Sequence, residues 1–225
     1  MKKILFLNPS SLEGFTYMKE LGRCGRKSFV NEIWPQTGLA CLAGVLEKEH
    51  DVRIIDGMAE KLNFRATLEK IKGFNPGLII ISTTTPTFEN DAKICDLIKK
   101  ELNVKIGFVG THVSTLPREC LKTCNGDFIL VNEGEYSLKE LVEDKPLDQI
   151  RGLCYKKDNQ IFCNEQREPV KDLDEFPLPA RHLLPNQKYT MPLSNNKPFA
   201  TIISSRGCPY KCIFCRAGSV WGKGV

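Results

Sequence analysis

Leu78-Ile-Ile-Ile-Ser-Thr-Thr-Thr85 sets four aliphatic residues against four hydroxyls. An unbroken apolar run suits a strand covered on both faces, as in a parallel sheet. The hydroxyls then mark the strand's carboxyl end. Similar runs lie on either side: Lys3 to Asn8 and Val52 to Ile55 before it, Ile106 to Val109 and Phe128 to Val131 after it. Between them apolar residues recur at helical spacing. These are Leu39, Leu42, Ala43 and Leu46, then Phe64, Leu68 and Ile71, then Ile94, Cys95, Ile98 and Leu102, and last Leu138, Leu141 and Val142. Thr37 is placed to cap the first helix, and a short helix covers Pro117 to Thr123. Five strands alternating with helices predict a doubly wound α/β domain with a five-stranded parallel sheet over residues 1–145. Ligands of such sheets bind outside the carboxyl ends of the strands, where strand order reverses. Three small polar clusters fall there: Ser82 to Thr85, Gly110 to His112, and Glu133 to Glu135.

The pattern changes after Lys145. Gly152 to Lys157 and Gln160 to Asn164 flank Asp158-Asn159, a hairpin signal. A proline-rich stretch follows, whose Leu173, Phe176, Leu178 and Leu183-Leu184 predict packing against the first domain, so 146–198 reads as hairpin and linker. Ala200 to Ser205 reads as a strand delivering Arg206-Gly-Cys208-Pro-Tyr-Lys-Cys212-Ile-Phe-Cys215. Thiolate is the usual protein ligand of iron–sulfur clusters. Three cysteines at this spacing hold three irons of a cubane and leave the fourth open to a small molecule. Zinc wants a fourth ligand; the nearest histidine, His182, lies beyond the prolines, and no cysteine follows Cys215.

Composition narrows the classes. The 225 residues carry 32 basic and 27 acidic side chains, net +5, with no basic cluster of nucleic-acid type. No apolar run approaches the roughly 18 residues of a membrane span, and Asn8-Pro9 stops the first one too early for a secretory leader. Seven of the ten cysteines remain: Cys24, Cys41, Cys95, Cys120, Cys124, Cys154 and Cys163. An odd number at irregular spacing is not a disulfide framework. The expected setting is a reducing cytoplasm. Cys120 and Cys124 read as buried structural thiols on one helical face.

The run RGCPYKCIFC resembles the cluster signature of radical S-adenosylmethionine (SAM) enzymes. Thr37 to Leu46, Val52 to Asp56, Val109 to Pro117, Glu133-Gly-Glu135 and Leu173 to Pro179 resemble the cobalamin-binding part of the B12-dependent radical SAM class. This implies a Rossmann-like (flavodoxin-like) domain of cobalamin-binding type, then the hairpin and linker, then the start of a radical SAM barrel over 199–225. It implies a [4Fe-4S] cluster on Cys208, Cys212 and Cys215, with Tyr210 and Phe214 beside it and SAM on the open iron. One electron, from a donor such as ferredoxin or flavodoxin, would cleave SAM to a 5′-deoxyadenosyl radical. Cobalamin would lie across the sheet edge, with Ser82 and Thr84 facing its nucleotide tail, Gly110 and Thr111 letting the tail pass, and Glu133, Gly134 and Glu135 bordering the corrin. His112 lies in the same loop, where helix capping or a carbonyl contact is the competing role. Two positions depart from the pattern. Asn8 to Gly14 holds no histidine for cobalt, and Thr111 stands where a second glycine is usual. The implied reaction is methyl transfer or oxidative cyclisation of a small molecule; the alternative is a non-catalytic corrinoid-binding or metal-stabilised regulatory α/β module. A barrel unit takes roughly 30 residues and 199–225 holds 27, so the chain alone is expected not to turn over SAM.

Overall fold

The computed structural model describes residues 1–19, 25–30, 32–191, 198–210, 212–215, 217 and 221. In chain order these form β1 (Lys3–Asn8), β2 (Tyr17–Met18), β3 (Arg26–Lys27), α1 (Thr37–Leu46), β4 (Asp51–Asp56), α2 (Phe64–Phe74), β5 (Leu78–Ser82), α3 (Phe88–Glu101), β6 (Lys105–Val109), α4 (Thr111–Thr115), α5 (Pro117–Thr123), β7 (Phe128–Leu130), α6 (Glu135–Val142), β8 (Leu153–Lys157) and β9 (Gln160–Cys163). The main sheet runs β4-β1-β5-β6-β7-β8-β9. Its first five strands are parallel and the hairpin adds two antiparallel ones. The parallel order is the flavodoxin-like one, and it reverses between β1 and β5.

Alternate residues of each strand face opposite layers. Ile4, Phe6, Ile80 and Leu130 pack with α1 and α6. Leu5, Leu7, Ile79 and Ile81 pack with α2, α3 and α5. This double coverage is why the strands read as continuous apolar runs. Cys120 and Cys124 are buried in the second layer, as expected of structural thiols. Burial pushes the Cys120 thiol up to about 12.

Four details differ from the sequence reading. Thr37 is the first helical residue, not the cap; Gln36 holds that position and Thr37 Oγ1 bonds Thr201 Oγ1. The predicted hairpin forms with Asp158 and Asn159 at φ 50° and 60°, and it adds two strands to the expected five-stranded sheet. Cys154 and Cys163 are joined across that hairpin, where register sets them directly opposite. Irregular spacing along the chain hid this pair. Finally, residues 200–205 form no strand, because no described segment pairs with them.

The linker packs through part of the predicted set: Leu184 is buried and Leu173, Phe176 and Leu183 are half-buried, but Leu178 is 85% exposed, its backbone and not its side chain meeting α1. Tyr189 is fully buried, with Ala180 and Leu184 beside it in the α1 layer. Ala180 N donates to Ala40 O at 2.9 Å, and Thr190 N and Ile33 N exchange bonds with each other's carbonyls. A Cβ on Gly44 would lie 2.7 Å from Leu178 O, so glycine is what lets the linker cross α1 directly.

Candidate cofactor site

The carboxyl edge of the sheet is built from the ends of β1, β4, β5, β6 and β7. Ser82, Thr83, Thr84 and Thr87 are all buried there. Thr84 N donates to Thr87 Oγ1 at 3.2 Å, and Thr87 Oγ1 donates onward to Asp91 Oδ2 at 2.8 Å. Thr83 N donates to Val109 O at 2.9 Å, which draws the β5 loop against β6. Gly110, at φ 132°, meets it: a Cβ here would lie 2.0 Å from Thr83 O. The glycine is therefore required by its own neighbour. Thr111 is buried at the start of α4. His112 lies tilted against Phe88, ring centroids 5.0 Å apart, and partial burial lowers its pKa.

Two buried polar atoms on this edge have no hydrogen-bond partner among the described residues, Thr83 Oγ1 and Asn8 Oδ1. They terminate β5 and β1, the two strands flanking the reversal of strand order. Buried polar groups are ordinarily bonded, and an unbonded one calls for an explanation. Asn8 Nδ2 meanwhile donates to Asp56 Oδ1 at 2.7 Å. Asp56 also accepts from Ala59 N and from Tyr189 OH, and burial holds its carboxyl up at about 6 against those three bonds.

The long loop after β1 is fixed over this edge by a buried ion pair. Lys19 Nζ reaches both oxygens of Asp91 at 2.9 Å, with both side chains fully buried. Gln36 Nε2 donates to Lys19 O at 2.7 Å, and Asn90 Nδ2 to Ser10 O at 3.1 Å. Neither Lys19 nor Asp91 carries a sequence signal, since the pair closes over 72 positions.

Glu133 and Glu135 are engaged by Arg206. Arg206 Nη1 lies 2.9 Å from Glu133 Oε1, and Nη2 lies 2.7 Å from Glu135 Oε1. Glu133 Oε2 accepts from Val170 N at 2.7 Å. Burial alone would lower the Arg206 pKa, but the two carboxylates overcome this and raise it. Gly134, between them, packs against Leu130 and Leu42. A cavity of about 490 Å³ opens beside Arg206, bounded by Thr37, Cys41, Phe176, Arg181 and Ile203. Burial raises the Cys41 thiol, with Glu135 adding and Arg206 and Arg181 opposing.

Cys208, Cys212 and Cys215 are free thiols, the first half-buried and the others exposed. Cys215 N donates to Cys212 O at 3.1 Å. Tyr210 and Phe214 are exposed. Among the described residues no three His, Cys, Asp or Glu side chains are gathered to hold a metal. The fit is thus one of donor chemistry, three accessible thiols within eight positions. At the sheet edge the fit is more direct, because one buried amide oxygen, Asn8 Oδ1, and one buried hydroxyl, Thr83 Oγ1, lack a partner among the described residues.

Residues 28–142 match the B12 binding domain family. The chain is 36% identical over 204 residues to an uncharacterized methyltransferase of Pyrococcus horikoshii, covering 88% of this chain and 44% of that one. It is 30% identical to the hopanoid C-3 methylase of Methylococcus capsulatus, over 83% of this chain and 36% of the relative. It is 26% identical to the anaerobic magnesium-protoporphyrin IX monomethyl ester cyclase of a Synechocystis strain, over 85% and 40%. The chain thus spans less than half the length of these relatives. Among solved structures, the cobalamin-dependent S-adenosylmethionine radical enzyme OxsB superposes with a TM-score of 0.71 at 19% identity, over 100% of this chain and 29% of that one. The radical S-adenosylmethionine methyltransferase TsrM of Kitasatospora setae superposes at 0.68 with 13% identity, over 99% and 43%. With its flavodoxin-like strand order and its hydroxyl-lined edge, the chain belongs to the B12 binding domain family.

Proposed function

We propose that this chain is the cobalamin- and cluster-bearing portion of a radical SAM enzyme, acting in methyl transfer or oxidative cyclisation of a small molecule. The observation that carries the reading is the pair of unbonded buried atoms, Thr83 Oγ1 and Asn8 Oδ1, at the reversal of strand order within a B12 binding fold. A ligand with hydrogen-bonding groups laid across that edge would satisfy them. Ser82, Thr83 and Thr84 would hold its tail, with Gly110, Thr111 and His112 alongside. Bound cobalamin would supply a carrier for a methyl group, and a cluster on Cys208, Cys212 and Cys215 would supply the electron that activates SAM. Three of the relatives named above are a methyltransferase, a methylase and a cyclase, which supports this range of reactions. A small electron-transfer protein of the ferredoxin or flavodoxin type would be the partner, in a reducing cytoplasm. No described helix is long and apolar enough to cross a membrane.

Two measurements test the reading independently. Titration with hydroxocobalamin, followed by absorbance, should saturate at one per chain, and Thr83→Val should weaken it about tenfold, the loss of roughly one hydrogen bond. Anaerobic reconstitution with iron and sulfide should load about four irons, and Cys212→Ala should abolish the loading. Stoichiometric zinc with no iron uptake would point to the metal-stabilised module instead.

A further inference from the structure

Residues 202–205 and 207 are exposed, yet the Arg206 side chain between them is only 11% exposed. One side chain in an otherwise open run has been drawn inward. Its guanidinium spreads over two carboxylates, Glu133 at 2.9 Å and Glu135 at 2.7 Å, themselves 7% and 4% exposed. Both lie where β7 leaves the sheet and α6 begins. Glu133 is held in place from its other oxygen by Val170 N. A planar guanidinium with forked donors suits this task; a lysine ammonium reaches as a single point. Arg206 also lies over the Trp221 ring at 5.3 Å. Arg206 precedes Cys208 by two positions, so whatever fixes Arg206 limits where the cysteine loop can go.

We infer that Arg206 is a positioning residue: its two-pronged bond to Glu133 and Glu135 tethers the cysteine loop to the carboxyl edge of the sheet. The two acidic residues serve the tether and do not border the bound cofactor. This rests on the proposed function for its purpose, since the tether would set the spacing between the two cofactor sites. Its geometry stands apart from that reading.

Trypsin reads the tether directly, because Arg206 cannot enter a protease pocket while its guanidinium is buried. In the purified full chain, cleavage after Arg206 should be slow. Glu135→Gln, which leaves the Glu133 to Val170 bond intact, should speed it, and Glu133→Gln/Glu135→Gln should speed it at least about tenfold, in proportion to the freed population. Cleavage after exposed Lys157 in the hairpin should stay unchanged, which separates local release from unfolding. In Arg206→Lys, cleavage after position 206 should also be faster than in the parent, since one prong is lost. Equal rates at 206 in parent and double variant would overturn the tether. Addition of hydroxocobalamin to the parent chain supplies the second arm. Cleavage at 206 that stays slow supports the tether, and cleavage that accelerates returns the carboxylates to the cofactor and overturns it. If the parent chain shows no absorbance change with hydroxocobalamin, the cofactor reading fails and the variants alone decide the tether.

Discussion

Asp56 shows how a single carboxyl senses its surroundings. Complete burial raises its pKa to about 6, and three donors only partly offset this. The folded value thus exceeds the unfolded 3.8. Its contribution to stability is full below about pH 4 and is lost as the pH rises through about 6. Denaturant unfolding at pH 4.5 and 7.5 should show this decline, about 2 kcal/mol from this group, and Asp56→Asn should flatten it. Tyr189→Phe removes one donor and should cost about 1–2 kcal/mol near neutral pH. At the same scale, the place of the hydroxyl run at the carboxyl end of β5 was legible in the sequence. Which hydroxyl is left unbonded was not. Thr84 is paired with Thr87 in a capping box, and Thr83 is pinned by its backbone to Val109. Both facts depend on partners that composition does not reveal.

Elements were more legible than residues. The five parallel strands announced themselves because burial on both faces makes each a continuous apolar run. The hairpin was visible through Asp158-Asn159, yet its attachment to β7 was not, since an edge strand accepts a partner through backbone groups that carry no side-chain code. The loop after β1 was recognisable only as long. What orders it is the buried Lys19–Asp91 pair. Lys19→Met alone strands a buried carboxylate and should cost about 3–5 kcal/mol in urea unfolding, whereas Lys19→Met with Asp91→Leu should recover most of that loss. Gly44→Ala tests the linker crossing in the same way. The added methyl meets Leu178 O, so a cost of about 1–3 kcal/mol is expected, with faster proteolysis after Lys188 as the linker lifts.

Across the molecule, the edge hydroxyls and the Arg206 anchor share the carboxyl side of the sheet, although 73 positions separate Glu133 from Arg206. The sequence supplied both ends of that arrangement as motifs, but not the bond between them, because a salt bridge over such a separation has no periodic signature. Iron retention should follow the anchor: after reconstitution, Glu133→Gln/Glu135→Gln should lose iron to a chelator several-fold faster than the parent chain, while Cys212→Ala holds none at all.

Tyr189 has a consequence for how this protein could be divided. Its ring stops the floor beneath Asp56, and it comes from a segment well past the last parallel strand. A lobe cut free before that segment would admit water to the acid, whose proton affinity would fall back toward that of an ordinary aspartate. The free-standing lobe would therefore need a stopper of its own, and the proline-rich strap is better regarded as interior than as string.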